Sequence, residues 1–486
     1  MTEAQPGAAA RAPTALVCAG CGHRVPDEAP LAFACPAARP GDDVDHVLVR
    51  ELDPAAAAAG AFGDDPASPN PYVRWRTRFH AWHRAQALGW SDADYAGLVG
   101  RLDTAVALVD GHGFRITPFT RSGALSDALG FSAAGGVWVK DETGNVSGSH
   151  KARHLFGTLL ELAVEEARRA AAGSGPSGPP AGRAPLAIAS CGNAALAAAV
   201  VARAADRRLD VFIPSDADPA VVERLRALGA ACVVCEREPG VAGDPTYHAI
   251  LRAIAAGAVP FTCQGNLNGL AIEGGETLGW ELAATVGEPE GPPRLDRVVV
   301  QVGGGALLSS VIAGLRNAAR AAGAVALPRI HAVQPATVHP LARAFERVRA
   351  RVAAGEPLDA ALADAARHRS AFMWLWEQEP HSVAHGIIDD ETYDWRACVA
   401  AMLGSGGGPV VVSEATFQEA NALARATTGI DVDHTGSAGL AGLLALVRVG
   451  RVDPDETVAV LFTGARRSEE PATDRWPNGG ASTAAH

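Results

Sequence analysis

Residues 140–153 read Lys140-Asp-Glu-Thr-Gly-Asn-Val-Ser-Gly-Ser-His-Lys151-Ala-Arg153 and join a short apolar run at 137–140 to a stretch with helical periodicity at 151–172. The pattern predicts a strand, a loop of small and hydroxyl residues, and a helix that begins at Lys151. A lysine at such a helix start favours the uncharged amine that attacks an aldehyde. Taken alone, the same pattern also fits a structural lysine.

Outward from this loop, short apolar runs alternate with helical stretches from about residue 105 to residue 465. Strand alternating with helix predicts an α/β fold in which mostly parallel sheets carry helices on both faces. Ligands of such sheets collect where the strands end. The residues directly after each predicted strand are therefore the candidates for a binding site.

Three further strand ends carry residues suited to anions or ring atoms. Residues 190–193, Ser-Cys-Gly-Asn, offer main-chain N–H groups and an amide to a carboxylate or phenolate oxygen, although a helix cap explains them too. Residues 302–306, Val-Gly-Gly-Gly-Ala, let the backbone approach an anion, although a tight turn also needs glycine. They form neither a P-loop nor the GxGxxG fingerprint. Residues 461–464, Leu-Phe-Thr-Gly, close the series.

In this order and spacing, the four motifs resemble the fold-type II pyridoxal 5'-phosphate (PLP) enzymes, which include threonine synthase, threonine and serine dehydratases, serine racemase and cysteine synthase. The segments Ile272-Glu-Gly-Gly-Glu-Thr277 and Ser382-Val-Ala-His-Gly386 resemble two further motifs of this superfamily. The lysine motif departs from the usual pattern at Val146, Ser147 and His150, where proline, threonine and phenylalanine are common. The resemblance implies a tryptophan synthase β-like fold with two open, mostly parallel sheet domains.

Carried over residue by residue, the resemblance implies a role for each motif. Lys151 would form the Schiff base with PLP and move the substrate's Cα proton. The other expected cofactor contacts are Asn193 at the ring hydroxyl, Thr463 at the pyridine nitrogen, and Gly303, Gly304, Gly305 and Ala306 at the phosphate. The substrate carboxylate would be bound by Ser190, Cys191 and Gly192. Directly before the lysine in sequence, Ser149 and His150 would support the residues that contact the cofactor.

Three of these positions bear on the chemistry. A neutral hydroxyl at Thr463 cannot hold the pyridine nitrogen protonated as an aspartate can, which favours elimination or replacement over transamination. Cys191 either returns a proton to the far face of the substrate or is only a small side chain beside the carboxylate. His150 either fills the space of the usual aromatic or donates a hydrogen bond near the cofactor.

The N-terminal segment contains Cys18-Ala-Gly-Cys21 and Cys35-Pro, a pattern similar to the cysteine-bearing start of many threonine synthases. Cys18, Cys21 and Cys35 are candidate ligands of a structural zinc ion, with His46 or His23 in place of a fourth cysteine. A second CxxC, Cys232 to Cys235, is better explained by a buried strand than by redox chemistry.

Length, charge and hydropathy limit the remaining possibilities. At 486 residues and a formal net charge of −12, the chain should hold several domains and is a poor candidate for nucleic-acid binding. Neither a signal peptide nor an apolar stretch of membrane-spanning length is evident. We expect a cytoplasmic protein, homodimeric like many of the enzymes it resembles, that acts on a small amino acid.

The predicted organisation has six parts: flexible tails at 1–14 and 466–486, a zinc-ribbon-like segment at 15–50, a helical segment at 51–104, a larger PLP-binding domain at 105–144 and 271–465, and a smaller mobile domain at 145–270.

Three functions remain open. The first is a PLP-dependent lyase of the ammonia-lyase or dehydratase type, which eliminates a β-substituent from a β-hydroxy amino acid. The second is a threonine synthase-like replacement on phosphohomoserine. The third is a binding module that has lost catalysis. The unusual segment at 373–382 either lines the site or forms an interface or a surface flap.

Overall fold

The computed structural model describes residues 13–53, 63–173, 183–237, 241, 243–323 and 327–467. Residues 1–12 and 468–486, nearly all of the two predicted tails, lie outside this range.

The N-terminal segment forms a two-stranded antiparallel hairpin of β1 (Thr14–Cys18) and β2 (Leu48–Leu52). Several contacts join it to the rest of the protein, among them Arg50, whose buried guanidinium lies 2.7 Å from Glu273. Between residues 63 and 110 the structure has the helices α1 (Pro71–Arg74), α2 (His80–Ala87) and α3 (Asp92–Asp110). Ser91 caps α3, because its side chain accepts from the N–H of Asp94.

The larger sheet has six strands, which in chain order are β3 (Phe119–Arg121), β4 (Gly136–Asp141), β9 (Arg297–Gln301), β10 (Arg329–Pro335), β11 (Gly408–Val412) and β12 (Thr457–Phe462). They lie side by side in the order β11-β10-β9-β12-β4-β3, and only the edge strand β3 runs antiparallel. Val298 and Val300 of β9 enter one apolar cluster, while Val299 enters another on the opposite face. Burial of both faces explains why these strands are continuous apolar runs.

Helices cover both faces of the larger sheet. They are α4 (Gly123–Ala128), α9 (Ala271–Thr285), α10 (Ala306–Ala321), α11 (Pro340–Ala353), α12 (Leu358–Arg367), α13 (Trp395–Ser405), α14 (Glu414–Thr428) and α15 (Ala438–Arg448).

The smaller sheet has four parallel strands: β5 (Leu186–Ala189), β6 (Leu209–Pro214), β7 (Ala231–Cys235) and β8 (Val259–Pro260), which pair in the order β7-β6-β5-β8. Its helices are α6 (Asn193–Ala204), α7 (Pro219–Ala227) and α8 (Pro245–Ala255). The prediction of a buried strand at Cys232 and Cys235 was wrong in one respect. The strand forms, but β7 lies at the sheet edge with Val233 and Val234 exposed, since only β6 pairs with it.

Helix α5 (Lys151–Ala171) begins at the lysine and packs on α9. Gly157 and Gly274 meet where the two helices cross: a Cβ on Gly157 would lie 2.7 Å from the Cα of Gly274. Gly279 and Gly314 make a similar contact between α9 and α10. Three helices are thus held together with their backbones in contact.

The predicted α/β class with parallel-rich sheets is confirmed. Among the helices that the structure describes, none is both long enough and apolar enough to cross a bilayer.

Candidate active site

The sequence contains two lysines, Lys140 and Lys151. Lys140 is fully buried, and its Nζ donates to the carbonyl oxygen of Thr117 at 2.6 Å and to Glu281 at 2.5 Å. Lys151 stands at the first position of α5 and is partly exposed. Since Lys140 is already engaged in the protein interior, Lys151 is the lysine available for chemistry.

The loop before Lys151 lies against the end of β12. His150 N–H donates to the carbonyl oxygen of Thr463 at 3.2 Å, and Ser149 pairs with Gly464 in an isolated bridge. Ser147 takes a left-handed conformation, with φ at 59°, to turn the chain at this point. The structure therefore brings the predicted lysine and the predicted Thr463 side by side.

Thr463 is buried and held by Gln301, which sequence reasoning did not identify. Gln301 Nε2 donates to Thr463 Oγ1 at 2.5 Å. The same amide donates to the carbonyl oxygens of Gly436 and Leu461, which fixes its orientation. Because its oxygen accepts from Gln301, the Thr463 hydroxyl is left to donate its own proton elsewhere.

The loop after β5 places Asn193 at the start of α6 and close to Gly464. A Cβ on Gly464 would lie 2.8 Å from Asn193 Nδ2, so only glycine allows this approach. Ser190, Cys191 and Gly192 precede Asn193, and the Cys191 side chain is exposed. Partial loss of hydration, with the nearby carboxylates of Asp216 and Asp244, raises the pKa of the Cys191 thiol, which is therefore protonated at neutral pH. A proton-returning role for Cys191 stays a prediction.

The glycine loop after β9 is enclosed by residues 387–394. A Cβ on Gly304 would lie 2.8 Å from the Tyr393 ring, and one on Gly303 would collide with Asp389. The N–H of Gly304 donates to the carboxylate of Asp389. Since this loop already binds a carboxylate oxygen through its backbone, its N–H donors fit a phosphate group.

Two carboxyl groups, the partly buried Asp389 and the buried Asp394, shape the electrostatics near Lys151. Burial raises the pKa of Asp389 to about 6, an effect that the charge of Lys151 opposes. Burial raises the pKa of Asp394 to about 8, although it accepts from the N–H of Gly265. At neutral pH, Asp394 is therefore mostly protonated.

The two histidines beside Lys151 are neutral. Burial lowers the pKa of His150 well below its usual value and that of His154 to about 3. His150 Nδ1 lies 3.2 Å from the Thr463 carbonyl oxygen, and His154 Nδ1 lies 2.9 Å from that of Ala271. Both rings are thus packed against the backbone, which favours the space-filling interpretation of His150.

A buried ionic network lies behind the lysine helix. Arg153 Nε lies 2.7 Å from Glu142, and Arg153 Nη1 lies 2.5 Å from Glu281, which also pairs with Lys140. All four side chains are essentially without exposure to solvent. The acidic start of the lysine motif therefore has a structural partner in this network.

The segment at 373–382 packs on α11. The Arg343 guanidinium lies 3.6 Å from the centroid of the Trp374 ring and pairs with Glu377 at 2.9 Å. His339 packs on Trp376, with ring centroids 4.6 Å apart. The aromatic residues of this segment thus pack on α11 and hold the segment against that helix as a flap.

The N-terminal cysteines converge as predicted. The ligand atoms of Cys18, Cys21, Cys35 and His46 all lie within 4.8 Å of one another. Cys18 Sγ is 3.4 Å from His46 Nδ1, and Cys21 Sγ is 3.7 Å from Cys35 Sγ. Of the two candidate histidines, His46 is the one that joins the cluster.

Comparisons with known proteins match this architecture. Solved structures that share the fold include maize serine racemase, at a TM-score of 0.53 and 19% identity, covering 76% of this chain and 93% of that one. Another is a fungal L-serine ammonia-lyase from Rhizomucor miehei, at a TM-score of 0.51 and 20% identity, covering 72% and 94%.

Curated relatives match over a shorter stretch. A serine dehydratase-like protein of Mus musculus is 29% identical over 201 residues, which cover 41% of this chain and 52% of the relative. An L-serine dehydratase of Saccharomyces cerevisiae is 29% identical over 182 residues, covering 37% and 50%. The chain thus spans about half the length of the curated relatives it matches.

The family model described as pyridoxal-phosphate dependent enzyme matches residues 112–464, which include the lysine loop, the Asn193 loop, the glycine loop and Thr463. The predicted superfamily is confirmed, and the chain belongs to the pyridoxal-phosphate dependent enzymes.

Proposed function

We propose that this protein is a PLP-dependent lyase that eliminates the β-substituent of a β-hydroxy amino acid such as serine or threonine. The observation that carries the proposal is that the loop ending at Lys151, the lysine not engaged in the interior, is hydrogen-bonded to the main chain of Thr463, whose side chain is a neutral hydroxyl. The similarity to serine dehydratases over the matched segment supports the same choice.

The residues divide the work of holding the cofactor. Gly303, Gly304, Gly305 and Ala306 would hold the phosphate, Asn193 the ring hydroxyl and Thr463 the pyridine nitrogen. The cofactor, when bound, serves as the electron sink for bond breaking at the substrate's Cα.

Around that cofactor, Lys151 would take the Cα proton, and the N–H groups at 190–192 would bind the substrate carboxylate. Thr463, a hydroxyl that donates without carrying charge, would leave the ring nitrogen of a bound cofactor unprotonated. Such a residue would favour loss of a β-substituent over transamination.

The alternative, replacement on phosphohomoserine, requires cationic donors for a second phosphate. Arg153 is engaged by Glu142 and Glu281, and His154 is buried and neutral. Lys151 has the carboxyl groups of Asp389 and Asp394 near it instead. A site with this charge distribution favours a hydroxyl-bearing side chain over a phosphorylated one.

The test is to incubate the purified protein with serine, threonine and phosphohomoserine and to measure 2-oxo acid, ammonia and phosphate. We expect 2-oxo acid and ammonia from a hydroxy amino acid. Turnover of phosphohomoserine alone would favour the threonine synthase alternative.

Borohydride reduction followed by peptide analysis tests the attachment site. Label on the peptide containing Lys151 is expected, and Lys151→Ala should abolish it. Absence of any bound PLP in the wild type would favour the non-catalytic binding module.

We further propose a structural zinc ion at Cys18, Cys21, Cys35 and His46. Three thiolates and one imidazole form a common tetrahedral zinc set. Asp42 Oδ2 lies 3.1 Å from His46 Nε2 and would hold the ring in place. Metal analysis after chelator-free purification should find one zinc per chain in the wild type and in His23→Ala, but not in His46→Ala. A wild type without zinc would contradict this.

The homodimer expected from the resemblance and the cytoplasmic location expected from the sequence are proposals of the same kind. Sedimentation analysis would test the first, and cell fractionation the second.

A further inference from the structure

The chain that leaves β12 runs along the lysine loop for several residues. The carbonyl oxygen of Thr463 accepts from His150 N–H, and Ala465 N–H donates to the carbonyl oxygen of Gly148 at 2.8 Å. This short pairing brings Arg467 to the gap between the larger sheet and the loop after β5.

Arg467 crosses that gap with its guanidinium. Nη2 donates to Asn193 Oδ1 at 2.6 Å and to the carbonyl oxygen of Ser147 at 3.3 Å. Asn193 belongs to the smaller sheet's first helix, and Ser147 to the lysine loop. One side chain therefore ties Asn193 to the loop that carries Lys151.

The contact also determines which end of the Asn193 amide remains available. An asparagine amide has one oxygen, which accepts, and one NH2, which donates. Because Arg467 binds the oxygen, the NH2 is left facing the Gly464 side, where a Cβ on Gly464 would lie 2.8 Å from Nδ2. The negatively charged ring oxygen of a bound cofactor would accept a hydrogen bond, so it requires the NH2 end of the Asn193 amide.

We propose that Arg467 is a positioning residue that orients the Asn193 amide so that its NH2 faces the cofactor's ring oxygen. This inference rests on the proposed function, since it takes Asn193 as a PLP contact. Arg467 acts through Asn193 and needs no contact with the cofactor.

The experiment compares Arg467→Gln, Arg467→Lys, Asn193→Ala and the double variant Arg467→Gln/Asn193→Ala. PLP affinity is measured by absorbance titration, and the orientation of the bound ring by visible circular dichroism. Arg466→Gln is the matched control, because Arg466 is a neighbouring arginine 4.0 Å from Asp431 and away from Asn193. Thermal unfolding without PLP reports any purely structural effect.

We expect Arg467→Gln to weaken PLP binding about tenfold, the usual range for a lost hydrogen bond to a charged group, and to reduce the circular dichroism of the bound cofactor. Arg467→Lys should recover part of both, since lysine keeps the positive charge and most of the reach of arginine, whereas glutamine loses both. In the Asn193→Ala background, Arg467→Gln should have no further effect on affinity.

An equal loss of affinity from Arg467→Gln with and without Asn193 would overturn the inference. So would a loss that only follows lower stability of the cofactor-free protein. If the wild type bound no PLP, the proposed function itself would fail. If Asn193→Ala weakened binding while Arg467→Gln did not, only the role of Arg467 would fail.

Discussion

Replacing Arg153 with methionine should destabilise the protein strongly. The change removes one cation from a buried set of two cations, Lys140 and Arg153, and two carboxylates, Glu142 and Glu281. Methionine fills much of the same volume but leaves one buried negative charge without a partner. Removal of one member of a buried pair costs about 3 to 5 kcal/mol.

Urea unfolding followed by tryptophan fluorescence measures this loss, since Trp138 and Trp280 are buried beside the network's elements. At a slope of about 3 kcal/mol/M, the midpoint should fall by about 1 to 1.7 M. Arg349→Met is the control, because Arg349 is over half exposed and pairs only with the equally exposed Glu346. Its midpoint should match the wild type.

Two further measurements test the electrostatic cause. Adding Glu142→Gln to Arg153→Met removes the unpaired charge and should recover part of the stability. The deficit of Arg153→Met should also shrink as pH falls towards 5, since an unpaired buried carboxyl takes up a proton more readily. A midpoint for Arg153→Met equal to that of Arg349→Met would refute the reasoning.

Three more predictions concern single positions. Gln301→Leu deprives Thr463 and two main-chain carbonyls of their donor, and should lower the free energy of unfolding in urea by about 1 to 3 kcal/mol; an unchanged midpoint would argue against this role. Gly275→Ala places a Cβ against His154 and should lower the free energy of unfolding in urea by about 1 to 3 kcal/mol. An unchanged free energy would mean that α5 and α9 move apart easily to accommodate the methyl group. Asp394 keeps its proton up to about pH 8 when folded but loses it near pH 3.8 when unfolded, so its burial costs stability as pH rises between these values. The melting temperature of Asp394→Asn minus that of the wild type should therefore increase from pH 5 to pH 8. A difference that stays constant over this range would contradict the raised pKa of Asp394.

The architecture and the motif positions could be predicted because their signals are local. Buried parallel strands are short apolar runs, and the residues that come after them in sequence lie at their carboxyl ends in space. That is why the lysine loop, the Asn193 loop, the glycine loop and Thr463 could be found from the sequence.

The contacts that orient these groups could not be predicted, because they join residues that are distant in sequence. Gln301 is 162 residues from Thr463, and Arg467 is 274 residues from Asn193. The one available signal was a polar residue, Gln301, which follows three valines at the end of its strand and lies two residues before the glycines. For Asp389, nothing local indicated that its carboxylate would lie on that loop.

The burial of individual strands was also hard to predict, because it depends on contacts between residues that are distant in sequence. Residues 231–235 have the composition of a central strand, yet their place at the sheet edge depends on which strands pair. His46 was distinguished from His23 only by the fold, since both come after the first cysteine pair in sequence.

The glycine crossings of α5, α9 and α10 bring the backbones of these three helices into direct contact. Lys151 starts the first of them and the glycine loop leads into the last, so the distance between the amine and the phosphate donors is set by backbone contact. Asn193 does not share those glycine contacts, because it lies at the head of α6 on the four-stranded sheet. The position of the ring-oxygen donor relative to Lys151 therefore depends on side-chain packing between α6 and α5, in the apolar cluster to which both helices contribute.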